Sequence, residues 1–90
     1  MATTISYSAK LDDELVKRLL ILINSDDLSF MELQKKLGLE WKKDEIIKLK
    51  LHLYYLEEND WIEERHFEDG TVDYSLEQKG IDLIKENGWG

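Results

Sequence analysis

Cysteine is absent from this 90-residue chain, which excludes both a disulfide framework and a thiolate metal site. Long apolar runs are absent too: the longest, Leu19–Ile23, falls far short of the roughly 20 residues that cross a bilayer. The opening MATTISYSAK has neither the basic start nor the apolar stretch of a secretory signal, so a cytoplasmic location without membrane contact is expected. Positive charge is scarce. Twelve Lys and Arg stand against twenty Asp and Glu, and the net charge of −8 removes long-range attraction to nucleic acid. There is no glycine-rich phosphate loop, no EF-hand spacing of oxygen ligands and no nucleophile beside a base. Glu63 and Glu64 alternate across a strand and cannot form a catalytic carboxylate pair. Neither an enzyme nor a cofactor or metal site is therefore expected. What is present, 42% apolar and 36% charged residues, describes one small ordered domain.

The acidity is uneven. Residues 1–27 carry a net −2 and residues 56–90 a net −8, while residues 28–55 carry six lysines against four acids, a net +2. That basic third contains Lys42–Glu58, which neither glycine nor proline interrupts and which is rich in helix-tolerant residues. At about 100° per residue, Ile46, Leu49, Leu53 and Leu56 share one stripe, the spacing of a helix laid on a core. The opposite side bears Ile47, Leu51, Tyr54 and Tyr55 beside Lys48. A helix apolar nearly all round is either buried on two sides or offers a second face to a partner.

The remaining chain divides around this helix. Residues 1–10 have no clear period and read as an N-terminal arm or short edge strand, with residues 11–90 as the folded domain. Asp12 or Asp13 can cap a first helix to about Asn24, deeply buried through Leu15, Val16, Leu19, Leu20, Leu22 and Ile23. Ser29 and Glu32 fit a capping box for a second helix to about Leu37, with Phe30, Leu33 and Leu37 inward and Gly38 suited to its left-handed end. Leu39–Trp41 turn the chain, and Asp44 is a candidate cap for the third helix. Asp69–Gly70 then suits a two-residue hairpin loop between Trp61–Phe67 and Thr71–Leu76. In that register Phe67 faces Val72, Arg65 faces Tyr74, Glu63 faces Leu76 and His66 faces Asp73. Trp61, Phe67, Val72, Tyr74 and Leu76 would form the packed side, leaving Glu64, His66, Glu68, Thr71, Asp73 and Ser75 in water. A closing helix over about Glu77–Asn87 turns Ile81 and Ile84 inward, Gly88 ends it, and Trp89 is a loose end or a plug.

Helix-helix-helix-strand-strand-helix, mainly α with a small β-hairpin, is the order of a winged helix-turn-helix domain. The residues support it: His52-Leu53-Tyr54-Tyr55-Leu56-Glu57-Glu58-Asn59-Asp60-Trp61-Ile62-Glu63 resembles the end of the recognition helix and first wing strand of ArsR-, MarR- and PadR-like transcriptional regulators. Tyr74-Ser75-Leu76-Glu77-Gln78-Lys79-Gly80-Ile81-Asp82-Leu83-Ile84 is similar to their second wing strand and closing helix. Small phage-type winged-helix proteins look alike, and the likeness covers most of residues 12–87. Two features depart from it: Asn59-Asp60 stands where a small residue and glycine are usual, and the wing is strongly acidic.

The resemblance implies a DNA-binding regulator acting as a homodimer on double-stranded DNA, its third helix in the major groove and its hairpin as wing. Dimer contacts would fall on the first helix, the arm, or the closing helix with Trp89. Lys35, Lys36, Lys43, Lys48 and Lys50 would then meet phosphate, and Tyr54 and Tyr55 phosphate or base edges. The same lysines can equally serve to solubilise an apolar helix. Ile47, Leu51, Tyr54 and Tyr55 can instead form a protein-binding face, with the acidic wing as a solvated surface or a dock for a basic partner, so the alternative is an acidic interaction module that binds no DNA. His52 stands at a helix–helix margin beside the core stripe, and His66 in a charge-assisted pair with Asp73.

Overall fold

A computed structural model describes residues 11–38 and 42–89; the expected arm over residues 1–10 and the turn over residues 39–41 lie outside them. Three helices, α1 (Asp13–Ser25), α2 (Phe30–Leu37) and α3 (Lys43–Glu58), are followed by strands β1 (Ile62–His66) and β2 (Val72–Leu76) and by α4 (Gln78–Asn87). The order is that expected of a winged helix.

Local chemistry accounts for each helix boundary. The Asp12 carboxylate accepts from the backbone N–H groups of Glu14 and Leu15 at 3.1 and 3.2 Å, filling two of the amides a helix start leaves open. At α2 the capping box is complete: the Glu32 N–H donates to Ser29 Oγ at 3.2 Å and the Ser29 N–H to the Glu32 carboxylate at 2.9 Å. Gly38 closes α2 in the left-handed conformation its position predicts. Helix α3 differs from expectation at its start, where Lys42 occupies the cap without a side-chain bond and Asp44 falls in the first turn. There the acid favours the helix dipole instead of bonding the amides.

The core joins α1 to α3 and to the base of the hairpin. Leu19, Leu20, Ile23, Leu33, Leu49, Leu53, Leu56 and Ile62 are all within 2% of complete burial. Removing such side chains from water is worth on the order of 1.5–3 kcal/mol each, which is the main force holding the helices together. Phe30 is only half-buried, and Gln34 takes the inward place beside Leu33 and Leu37. In α4, Ile84 and Gly80 are buried while Ile81 and Leu83 are half-covered, and Trp89 packs against the core as a plug.

The hairpin register is one residue away from the expected one. Ile62 faces Leu76, Glu64 faces Tyr74, Arg65 faces Asp73 and His66 faces Val72. The cause is the loop. Phe67 pairs with Thr71, its N–H donating to the Thr71 carbonyl at 2.9 Å, and three residues rather than two bridge the strands. The Gly70 N–H returns to the Phe67 carbonyl at 3.0 Å with Gly70 at φ +90°, a tight turn closed by a glycine bulge. Asp69 fixes it by accepting from both the N–H and the hydroxyl of Thr71. A one-residue slip exchanges the faces. Ile62, Glu64, His66, Val72, Tyr74 and Leu76 therefore share the side turned to the core, and Phe67 stands on the other, 45% exposed under the Arg65 guanidinium. A further link comes from the linker before α2: the Tyr74 N–H donates to the Leu28 carbonyl at 2.8 Å, a single bridge that extends the hairpin by one position.

Between α3 and β1 the chain turns on Asp60, which holds φ +60°. The Trp61 N–H reaches the Leu56 carbonyl and the Asp60 N–H the Glu57 carbonyl, at 3.1 and 3.0 Å, the double closure of a Schellman motif. Glycine is the residue that takes this conformation without strain, so Asp60→Gly is expected to stabilise the fold by roughly 0.5–1 kcal/mol in urea titration. Gly80 is the opposite case, because a Cβ there would run into the Trp61 carbonyl oxygen and the Leu76 side chain. Gly80→Ala is expected to lower stability by about 2 kcal/mol or more, the range of overpacked sites, in the same titration.

Candidate nucleic-acid interface

Helix α3 turns Leu49, His52, Leu53 and Leu56 into the core, and its opposite face is open. That face carries Lys43, Ile47, Lys50, Leu51 and Tyr54, with Ile47 and Leu51 each 43% exposed and Tyr54 63%. Tyr55 leaves the expected set: it packs edge-on against Trp61, ring centroids 5.8 Å apart, and is partly buried against the core. The helical period could not reveal this, because the covering surface is supplied by the hairpin. Lys35 and Lys36, in the last turn of α2, and Lys43, in the first turn of α3, are exposed.

The lysines are not equivalent. Lys48 Nζ lies 3.0 Å from the Asp12 carboxylate, so it closes the α1 cap across 36 residues of chain. His52 completes this junction from beneath. Its Nδ1 sits 2.7 Å from the Lys48 carbonyl and its Nε2 2.9 Å from the Asp12 backbone nitrogen. The backbone N–H must donate to Nε2, which fixes the neutral tautomer with hydrogen on Nδ1. Buried to 2% exposure, His52 is thus a structural tie between α1 and α3. Lys50 extends over Phe30, its ammonium 5.9 Å from the ring centroid.

The wing contributes no open cation of the Arg or Lys kind. Arg65 grips Asp73 through two parallel bonds of 2.8 and 2.9 Å and reaches Asp27 at 2.9 Å. The Asp73 bonds, with Asp27 adding to them, hold the guanidinium more firmly protonated than usual. His66 pairs with Glu64 on its own strand at 2.7 Å and not with Asp73, a consequence of the shifted register.

Beyond Tyr54 the α3 surface becomes acidic. A groove of about 410 Å³ runs between α3 and the hairpin, floored by Phe30, Leu53, Val72 and Tyr74 and ending at Glu57 and Glu64. Burial, then Glu64 and Glu58, push the Glu57 carboxyl above its ordinary range. Burial, then Glu64 and Glu57, push the Tyr74 phenol up to about 12. The nearby Glu58 carboxylate raises the Tyr54 phenol as well. The candidate face thus carries its exposed lysines on α2 and the first half of α3, and its carboxylates gather towards the wing. Among the described residues no group of three His, Cys, Asp or Glu side chains is placed to hold a metal ion, and no helix is long and apolar enough to cross a membrane.

The fold is shared with solved structures of ZitR from Lactococcus lactis. A cysteine-to-serine variant superposes with a TM-score of 0.70 over 98% of this chain and 55% of its own, at 18% identity. A glutamate-to-alanine variant gives 0.69 over the same shares at 18%, and a double alanine variant 0.71 over 88% and 51% at 20%. The chain therefore spans about half the length of the ZitR structures it matches. No protein-family profile and no curated protein sequence matches it.

The ion pairs make stability depend on acid. The Lys48 ammonium holds the Asp12 carboxyl below its usual range, and the Arg65 guanidinium does the same for Asp73. Both bind protons less readily folded than unfolded, so the stability they supply is whole above about pH 4 and is lost as pH falls through their depressed values. The urea midpoint is expected to fall as pH drops below about 4, and Asp73→Asn to flatten that limb. Glu57 has the opposite sign, since its raised value opposes folding once it ionises. Glu57→Gln is expected to raise the melting temperature at neutral pH, with a gain that shrinks towards about pH 4.

Proposed function

We propose that this domain is the DNA-binding part of a transcriptional regulator, with α3 entering the major groove and β1–β2 serving as the wing. The observation that carries this reading is the exposure of Lys35, Lys36, Lys43 and Lys50 on α2 and α3, within residues 28–55, the one third of the sequence with a net positive charge. The winged-helix fold shared with ZitR supports it, as does the open face of α3, where Ile47, Leu51 and Tyr54 offer apolar and hydroxyl contacts to base edges. These lysines fix the register on phosphate, and the helix face reads the groove.

Two copies acting together suit so small a surface, because pairing doubles the contact and sets half-site spacing. A cleft between α1 and α4 that joins Val16, Tyr55, Trp61, Leu83 and Trp89 to Asp13, Glu14, Lys17 and Asn87 is the face this reading assigns to that pairing. The second reading, a protein-binding module that ignores DNA, rests on the same 43–63% exposure of Ile47, Leu51 and Tyr54 together with the net charge of −8.

Titration of a labelled mixed-sequence duplex at several salt concentrations separates the two. For Lys35, Lys36, Lys43 and Lys50 on phosphate, the log–log slope is expected to be about −3 to −4 per copy, at roughly −0.9 for each contact. Replacing Lys35 and Lys36 together with alanine should flatten it by about two. Lys48→Ala should leave the slope unchanged and lower the melting temperature, because its ammonium is committed to Asp12. Absence of any duplex shift at low salt would overturn the DNA reading in favour of the protein-binding one.

A further inference from the structure

The groove between the C-terminal half of α3 and the hairpin shares Lys50 and Tyr54 with the DNA reading, but its Glu57 and Glu64 are wrong for phosphate. We propose that it is a docking site for a basic protein segment, one arginine or lysine side chain lying along the aromatic floor with its charge at Glu57 and Glu64.

Size, lining and charge each bear on this. About 410 Å³ accommodates one or two long side chains and lies within the range of ordinary binding clefts. The floor of Phe30, Leu53 and Tyr74, walled by Tyr54, suits the methylene stem of a basic residue, which buries its carbons and carries its charge to the end. At that end Glu57 and Glu64 meet, with Glu58 adjacent on the helix. Among the described residues no ammonium or guanidinium pairs with any of the three, and Glu64 has only the His66 ring at 2.7 Å and the Tyr74 hydroxyl at 3.3 Å. The last turn of α3 adds the negative end of its dipole to the same place.

The molecule already shows that this floor receives a cation. The Lys50 ammonium lies over the Phe30 ring at 5.9 Å, at the other end of the groove. Residues 56–90 carry a net −8, so a basic segment is drawn to this side of the molecule. The proposal does not rest on DNA binding: its charged contacts are Glu57 and Glu64, which the DNA reading leaves out, and it is tested without nucleic acid.

The test uses a labelled, blocked hexapeptide alternating leucine and arginine, and its counterpart with citrulline, whose neutral urea keeps the arginine shape. Fluorescence anisotropy at low salt is expected to show the arginine peptide binding at least about tenfold more tightly than the citrulline one. Glu57→Gln with Glu64→Gln should weaken the arginine peptide by about tenfold, and Lys50→Met should tighten it by about threefold by removing a like charge. Glu63→Gln with Glu68→Gln makes the same change in net charge outside the groove and should leave affinity within about twofold. Circular dichroism checks that each variant is folded. Equal affinity for the two peptides, an equal loss in the two double variants, or no binding by the wild-type protein would each overturn the proposal. So would sedimentation showing that the protein alone self-associates and that Glu57→Gln with Glu64→Gln abolishes it, since a second copy would then fill the groove.

Discussion

The structure depends on covering α3 along one side only. Leu49, Leu53 and Leu56 are sealed against α1 and the hairpin base to within 1% of complete burial, while Ile47, Leu51 and Tyr54 on the same helix stay in water. Burial of the inner row supplies the driving force, and every other element is arranged to complete that one contact. Helix α1 offers Leu19, Leu20 and Ile23 to it, and β1 adds Ile62. Because the cover is one-sided, a helix apolar nearly all round becomes a display surface, and the domain can present it rigidly.

Much of this was legible in the sequence where the determinants are local. The capping box at Ser29 and Glu32, the Asp12 cap and the left-handed Gly38 all depend on neighbours a few residues away. The inner stripe of α3 followed from its period. Three things were not legible. The hairpin register hinged on whether Asp69-Gly70 makes a two-residue loop or the end of a three-residue one, and the same dipeptide serves both; the error moved Phe67 to the outer face and His66 to Glu64. Tyr55 was hidden by Trp61, six residues on but in a different element. The pairing of Lys48 with Asp12 joins residues 36 positions apart, and no pattern within one helix contains it.

These same long-range contacts sort the candidate site. With Lys48 held by Asp12, and Tyr55 by Trp61, the open cations of the candidate set are Lys35, Lys36, Lys43 and Lys50, and the wing's guanidinium is spent on Asp73 and Asp27. The uneven charge of the sequence becomes a surface mixed at the start of α3, where Lys43 stands beside Asp44 and Glu45, and acidic from Glu57 onward. Such a surface imposes polarity on whatever lies across it, since an evenly anionic ligand can be favourable over only one half.

Arg65 has a mechanical side as well. One nitrogen edge of its guanidinium is bolted to Asp73 within the hairpin, and the remaining reach goes to Asp27 in the segment that leads into α2. The Leu28–Tyr74 bridge fastens the next residue of that segment to the same strand. Hairpin and α2 are therefore braced like two plates on a shared strut. The gap they frame with α3 is bounded on two sides by elements tied to each other.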